Sequence, residues 1–183
     1  MVTEALRRRT PLGPLAEELE RVCAGERFAC REDAFRQLTE LRCADGAEQE
    51  AAEIVGAELP SIGLTAEVGD TLVLGLGPGW WMTDSPADTP TLAGSARVSI
   101  VDVSAQRTPL VLTGPVARDV LSHGCSLDIH PDHLGVGAAA QTLLAKAGVM
   151  LARTDADTYR VWVRASFARY LAAWIIDASL EYR

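Results

Sequence analysis

An α+β fold, with a largely antiparallel sheet and flanking helices, is what three features of the sequence predict. Short apolar runs alternate with a period of two, as at Val98, Ile100 and Asp102 against Ser99, Val101 and Val103, which is the mark of strands with two differently solvated faces. Glycine, proline and aspartate punctuate these runs and leave room only for short helices between them. The order strand, helix, strand, strand occurs twice, in residues 35–84 and again in 95–183. Mixed elements in that order suit one α+β domain spanning 35–183, preceded by an N-terminal helical segment at 1–34. Only the order recurs; the two halves are too dissimilar in sequence to be an internal repeat.

The elements follow in chain order. Pro14 to Cys23 reads as a helix, with Leu15, Leu19 and Val22 on one stripe, Glu17 and Glu18 in the first turn, and Gly25 beyond its end. So narrow a stripe must dock on something larger. Residues 26–34 are mostly polar and read as a connection. Gln37 to Cys43 alternates as a strand of modest burial, and Asp45 is placed to cap a helix from Ala47 to Val55 that Gly56 closes. Thr65 to Val68 and Thr71 to Leu76 form a hairpin through Gly69-Asp70; Pro78-Gly79 then turns the chain into Trp80 to Thr83. The stretch SPADTPTLAG, 85–94, is a loop between the halves.

In the second half, Leu110 to Thr113 is a short strand that stops at Gly114. Pro115 suits the first position of a helix reaching His123, with Val116, Val120 and Leu121 as its buried stripe and Gly124 as a left-handed terminator. Thr142 to Ala145, continued by Val149 to Thr154, and then Tyr159 to Val163 complete the strands. The last helix is strongly patterned. Ser166 serves as its N-cap, and Phe167, Tyr170, Leu171, Trp174, Ile175 and Ala178 fall on one stripe, with Ile176 and Leu180 off it. A helix apolar on two sides is buried within its own domain or between this chain and a partner.

Composition narrows the function classes. A chain of 183 residues with 48% hydrophobic and 23% charged residues needs no staple and has an ordinary globular balance. The formal charge of −8 makes nucleic acid and acidic membrane surfaces poor partners. Cys23, Cys30, Cys43 and Cys125 show no CxxC spacing and read as reduced thiols, and no run approaches the roughly 20 apolar residues that span a bilayer. MVTEALRRRTPLGP completes neither a signal peptide nor a twin-arginine signal, so a cytoplasmic location is expected.

The motifs DVS, RTPLVLTGPVARDVL, HGCSLDIHP, AQTLL and YRVWVRASFARYLAAWIIDA, with RRTPLGPL and LGLGPGWWM before them, together resemble the gamma subunit of heterotetrameric sarcosine oxidase. That family is in turn similar to the folate-binding domain of the glycine-cleavage aminomethyltransferase group, where a DVS strand and a strand-Gly-Pro-helix unit also occur. The resemblance implies a complex that demethylates sarcosine oxidatively to glycine and hydrogen peroxide, passing the one-carbon unit to tetrahydrofolate to give 5,10-methylenetetrahydrofolate. It implies alpha, beta and delta partner subunits, with FAD, FMN and NAD on the two large ones and zinc on the smallest. This chain would then hold no cofactor and no catalytic residue, in a folate-domain-like fold that has lost its ligand site. A stand-alone folate-binding aminomethyltransferase-like protein and a scaffold or assembly protein are the alternatives.

Several constellations invite chemistry. His123, His130 and His133 lie beside Cys125, Asp128 and Asp132, which are transition-metal ligand types, yet no CxxC knuckle or HExxH helix fixes a geometry. Gly75, Gly77 and Gly79 mimic a phosphate loop, but Pro78 removes a donor and strand residues follow, so a turn is expected. Trp80 and Trp81 are expected as core and interface anchors rather than a stacking site. Asp102 is the carboxylate to weigh as an acid or ligand contact, since an aspartate near this position serves folate chemistry in the relatives; the plainer reading has it bonding backbone or Ser104 at a strand end. Arg107, Arg160 and Arg164 could pair with a glutamate tail or with a partner's acids, or simply solvate a face.

Overall fold

A computed structural model describes residues 8–182. In chain order the elements are α1 (Pro14–Val22), β1 (Ala29–Glu32), β2 (Gln37–Cys43), α2 (Glu48–Val55), β3 (Thr65–Val68), β4 (Thr71–Gly77), β5 (Trp80–Ser85), β6 (Val98–Asp102), β7 (Arg107–Thr113), α3 (Ala117–Ser122), β8 (Ala139–Leu144), β9 (Ala147–Asp155), β10 (Thr158–Arg164) and α4 (Ala168–Ala178). The strands form two five-stranded antiparallel sheets, ordered β1-β7-β10-β9-β8 and β3-β4-β5-β2-β6.

The two orders are one pattern used twice. Reading each sheet from β7 or from β2, the chain leaves through a helix and returns as three strands, the last beside the first. The fifth strand comes from elsewhere in the sequence. β1 runs on into β2 but pairs with β7, at Cys30 opposite Leu112, and β6 runs on toward β7 but pairs with β2, at Leu41 opposite Ile100. The chain therefore crosses between sheets twice at one end of the molecule. At the far edge, Thr65 N donates to Gly137 O and Ala139 N to Gly63 O, each at 2.8 Å, which ties the sheets together there too.

Strand alternation sorts the core into three clusters. Tyr159, Val161 and Val163 of β10, with Val149 and Leu151 of β9, meet Leu19 of α1, Val120 and Leu121 of α3, and Leu171 and Ile175 of α4. The opposite faces of the same strands offer Met150, Ala152 and Trp162 to Leu38, Leu72, Leu74 and Met82 of the second sheet. Beyond that sheet, Val73, Trp81 and Val98 pack against Ala47 and Ala51 of the α2 region. Layers of helix, sheet, sheet and helix result, and each large apolar side chain so buried contributes roughly 2 kcal/mol.

Some expectations need correction. Residues 26–34 hold β1, a short edge strand in which Arg31 faces out while Cys30 is buried and Glu32 half-buried, so local polarity hid it. The strand predicted from Leu110 begins at Arg107, and Pro109 is tolerated in it. What read as a strand at 142–145 with a continuation is an antiparallel hairpin, Leu144 opposite Ala147, turned by Ala145 at φ 51°. The third helix starts at Ala117, with Pro115 in the preceding turn. Gly124 is not left-handed. It is needed because a Cβ there would stand 2.5 Å from the Trp174 ring. Neither Asp45 nor Ser166 caps a helix with its side chain; Ala47 and Phe167 occupy those positions. Ser166 lies in a 3-10 turn at Ala165–Phe167. The buried stripe of α4 is Ala168, Leu171, Ala172 and Ile175, whereas Phe167 and Tyr170 are exposed and pack edge-on against each other.

Candidate functional site

Between the sheets, where apolar contacts dominate, one carboxylate is completely buried. β5 alternates so that Met82 and Asp84 both point toward the other sheet, and Asp84 has no exposed surface. Arg36 Nε, just before β2, donates to Asp84 Oδ1 at 2.6 Å, and the indole of Trp162 on β10 donates to Oδ2 at 2.7 Å. Arg36 also donates to the Asp84 backbone carbonyl at 3.0 Å and to that of Asp70 at 3.2 Å. On the same side, Arg160 of β10 bonds to Asp33, and its Nη1 lies 3.8 Å from Asp84 Oδ2. Each side-chain oxygen of Asp84 thus meets a donor, which offsets part of the cost of taking it from water.

A cleft of about 370 Å³ opens beside this cluster, lined by Arg31, Glu67, Asp70, Thr71, Thr158 and Arg160. Its walls carry both signs of charge. Arg31 is bound to Asp33 at 3.1 Å, so this guanidinium of the lining already has an acid. Arg160 Nε, buried, has no partner among the described residues.

The residues singled out from the sequence fall into separate places. Asp102 stands at the end of β6, where its Oδ1 accepts from Ser104 Oγ at 2.6 Å and from Ser104 N at 2.8 Å. Those two bonds hold its carboxyl below the usual range, and the Arg8 charge adds to the effect. Ser104 Oγ in turn accepts from Leu38 N at 2.9 Å, so the DVS motif ties the β6 end to β2. This is the plainer of the two readings of Asp102.

The histidines do not converge with Cys125. His130 faces Asp132 at 3.3 Å and His133 faces Asp128 at 3.5 Å, all well exposed, while His123 Nε2 lies 2.8 Å from the Tyr182 hydroxyl. The backbone of Cys125 forms an isolated β-bridge with that of Leu144. Among the described residues no group of three or more His, Cys, Asp or Glu side chains is arranged to hold a metal ion.

The glycine run is a turn. Gly79, at φ 58°, closes the β4–β5 hairpin, and Gly75 permits an approach so close that a Cβ would stand 2.2 Å from Ser61 O. Trp81 is buried and donates to Pro60 O at 2.9 Å; Trp80 is half-buried beneath the Arg42 guanidinium, 4.1 Å from its ring centre. Of the three strand arginines, Arg160 is internally paired, while Arg107 and Arg164 face one another on β7 and β10. Sequence reasoning missed Asp84. The available signal was its place two residues after Met82, on the same face of the strand.

Comparison with known proteins fits this layout. The family model described as sarcosine oxidase, gamma subunit family matches residues 43–181. The sarcosine oxidase subunit gamma of Corynebacterium sp. strain U-96 is 36% identical, across 100% of this chain and 95% of that one. A chain in the structure of the heterotetrameric sarcosine oxidase of Corynebacterium sp. U-96, in complex with pyrrole 2-carboxylate, superposes with a TM-score of 0.87 at 36% identity, covering 96% of each chain. Glycine cleavage system aminomethyltransferase T from Bartonella henselae gives a TM-score of 0.63 at 16% identity, over 92% of this chain and 50% of that one, which establishes likeness of fold.

Proposed function

This chain belongs to the sarcosine oxidase gamma subunit family, and on that premise we propose that it serves as a structural subunit of a heterotetrameric sarcosine oxidase and performs no chemistry of its own. Its partners are the alpha, beta and delta subunits. FAD, FMN, NAD, tetrahydrofolate and zinc sit on those chains, in a cytoplasmic complex that converts sarcosine to glycine, hydrogen peroxide and 5,10-methylenetetrahydrofolate. Cys30, Cys43 and Cys125 are thiols, which suits a reducing compartment.

The observation that carries the non-catalytic reading is how the chain spends its two best carboxylates. A general acid or base must reach a proton on a substrate and titrate near working pH. Asp84 is enclosed and holds Arg36 and Trp162, and Asp102 is bound twice by Ser104, which favours its charged form further. Asp84 is closed to a ligand, and Oδ1 of the exposed Asp102 is taken up by Ser104. They act as struts, one between the sheets and one at a sheet edge.

The test uses the purified full chain alone. The absorption spectrum should lack a flavin band, sarcosine should yield no hydrogen peroxide, and calorimetric titration with tetrahydrofolate should release no binding heat. Micromolar tetrahydrofolate affinity would instead support a stand-alone aminomethyltransferase-like protein.

A further inference from the structure

Arg107 opens β7, Arg164 closes β10, and the register sets them directly opposite each other. Side chains so opposed point to the same face a few ångströms apart, and like charges in that position destabilise the sheet. Neither arginine makes an ion pair with another described residue. The acid acting on Arg107 is Glu40, which is already engaged by Arg42 at 2.8 Å. Burial, and then the Arg164 charge, push the Arg107 guanidinium below its ordinary value, so the bare pair sits in a poor environment.

Arg107 also lines a recess of about 240 Å³ at the end where the chain crosses between sheets, together with Arg8, Arg9 and Arg36. Glu32, in the same wall, is bonded to Thr10, and burial raises its carboxyl toward the neutral form. Phe35 lines the recess from the β1–β2 crossover. It holds φ at 62°, which is strained for a bulky residue, and leaves 40% of its surface exposed beneath the Arg8 guanidinium, 4.9 Å from the ring centre. A cationic recess with an exposed aromatic, in a chain of net charge −8, is the composition of a binding hot spot with a definite electrical sign.

We propose that this recess seats an acidic segment of a partner subunit, whose carboxylates lie between Arg107 and Arg8, with Arg164 opposite Arg107 adding to the positive field, while Phe35 packs against an apolar neighbour of those acids. The inference rests on the subunit reading given above. It supplies the counter-charge that the Arg107–Arg164 pair lacks and gives the exposed ring an apolar contact.

Two measurements of opposite sign test it. Biolayer interferometry should show the full wild-type chain binding to the oxidase subunits prepared without it, more weakly as salt is raised. The double variant Arg107→Ala, Arg164→Ala should bind roughly tenfold or more weakly, with a shallower salt dependence, while Arg21→Ala on the exposed face of α1 should change affinity less than about twofold. The isolated double variant should melt at the wild-type temperature or above, because a repelling pair is gone, and that separates lost docking from lost folding. Unchanged affinity and salt slope in the double variant would overturn the proposal. So would a recess that binds citrate through Arg107 while subunit binding is indifferent to the substitutions. A wild-type chain that binds no oxidase subunit at all removes the subunit reading itself, and this inference with it.

Discussion

Two arginine clusters, one between the sheets and one at the crossover end, are wired in opposite ways. Around Asp84, Arg36 approaches a buried carboxylate to 2.6 Å, Trp162 supplies the second bond, and Asp33 takes up Arg160. At the crossover, Arg107 and Arg164 face each other, and neither makes an ion pair with another described residue. The first arrangement is closed and makes the two sheets one body. The second makes sense only with an outside charge. Rigid satisfaction in the middle and unmet charge at one end together describe a part built to be held by something else.

Breaking the closed cluster has the largest expected effect. Asp84→Ala leaves Arg36 and the Trp162 indole buried without their acceptor, and should lower unfolding free energy by about 3–5 kcal/mol in urea titrations. Gly124→Ala sets a methyl group 2.5 Å from the Trp174 ring between α3 and α4, and should lower it by about 1–3 kcal/mol in the same titrations. Trp162→Phe removes one donor from Asp84 and keeps most of the packing; about 1–3 kcal/mol of loss is expected, and a double-mutant cycle with Asp84→Ala should show strong coupling.

The crossover end responds more gently. Stability of the isolated Arg107→Ala, Arg164→Ala variant should rise by a few tenths of a kcal/mol or stay level, the reverse of any substitution around Asp84. Asp102 gives the smallest signal. Its carboxyl is held below the ordinary value of 3.8, so its contribution is complete above that value and fades as the pH falls through the lowered folded-state value. Asp102→Asn should therefore lower stability slightly in the neutral region and flatten the acid limb of a stability-against-pH curve, the two proteins converging at low pH.

Much of this was legible in the sequence where the rule was local. Gly69-Asp70 between alternating runs fixed the β3–β4 hairpin, Pro78-Gly79 the next turn, and Gly56, at φ 78°, the end of α2. What escaped depends on residues far apart. The polar sequence of β1 gains its strand identity only by pairing with β7, about eighty positions later, which no window of neighbours reveals. The stripe on α4 was misplaced because Phe167 and Tyr170 share the helical spacing of core residues, while the small Ala168 and Ala172 are what the sheet covers. Asp84 was missed because its partners Arg36 and Trp162 lie 48 and 78 residues away. The three strand arginines stand out together, but sequence could not show that one is ion-paired internally and two are not.

Native mass spectrometry of the four oxidase polypeptides, co-expressed with and without this chain, tests the central claim most directly. A structural subunit predicts a heterotetramer containing one copy of this chain without flavin on it, and loss or disproportionation of the assembly when it is omitted. An intact, fully active assembly of the other three polypeptides, with this chain left outside it, would contradict that account.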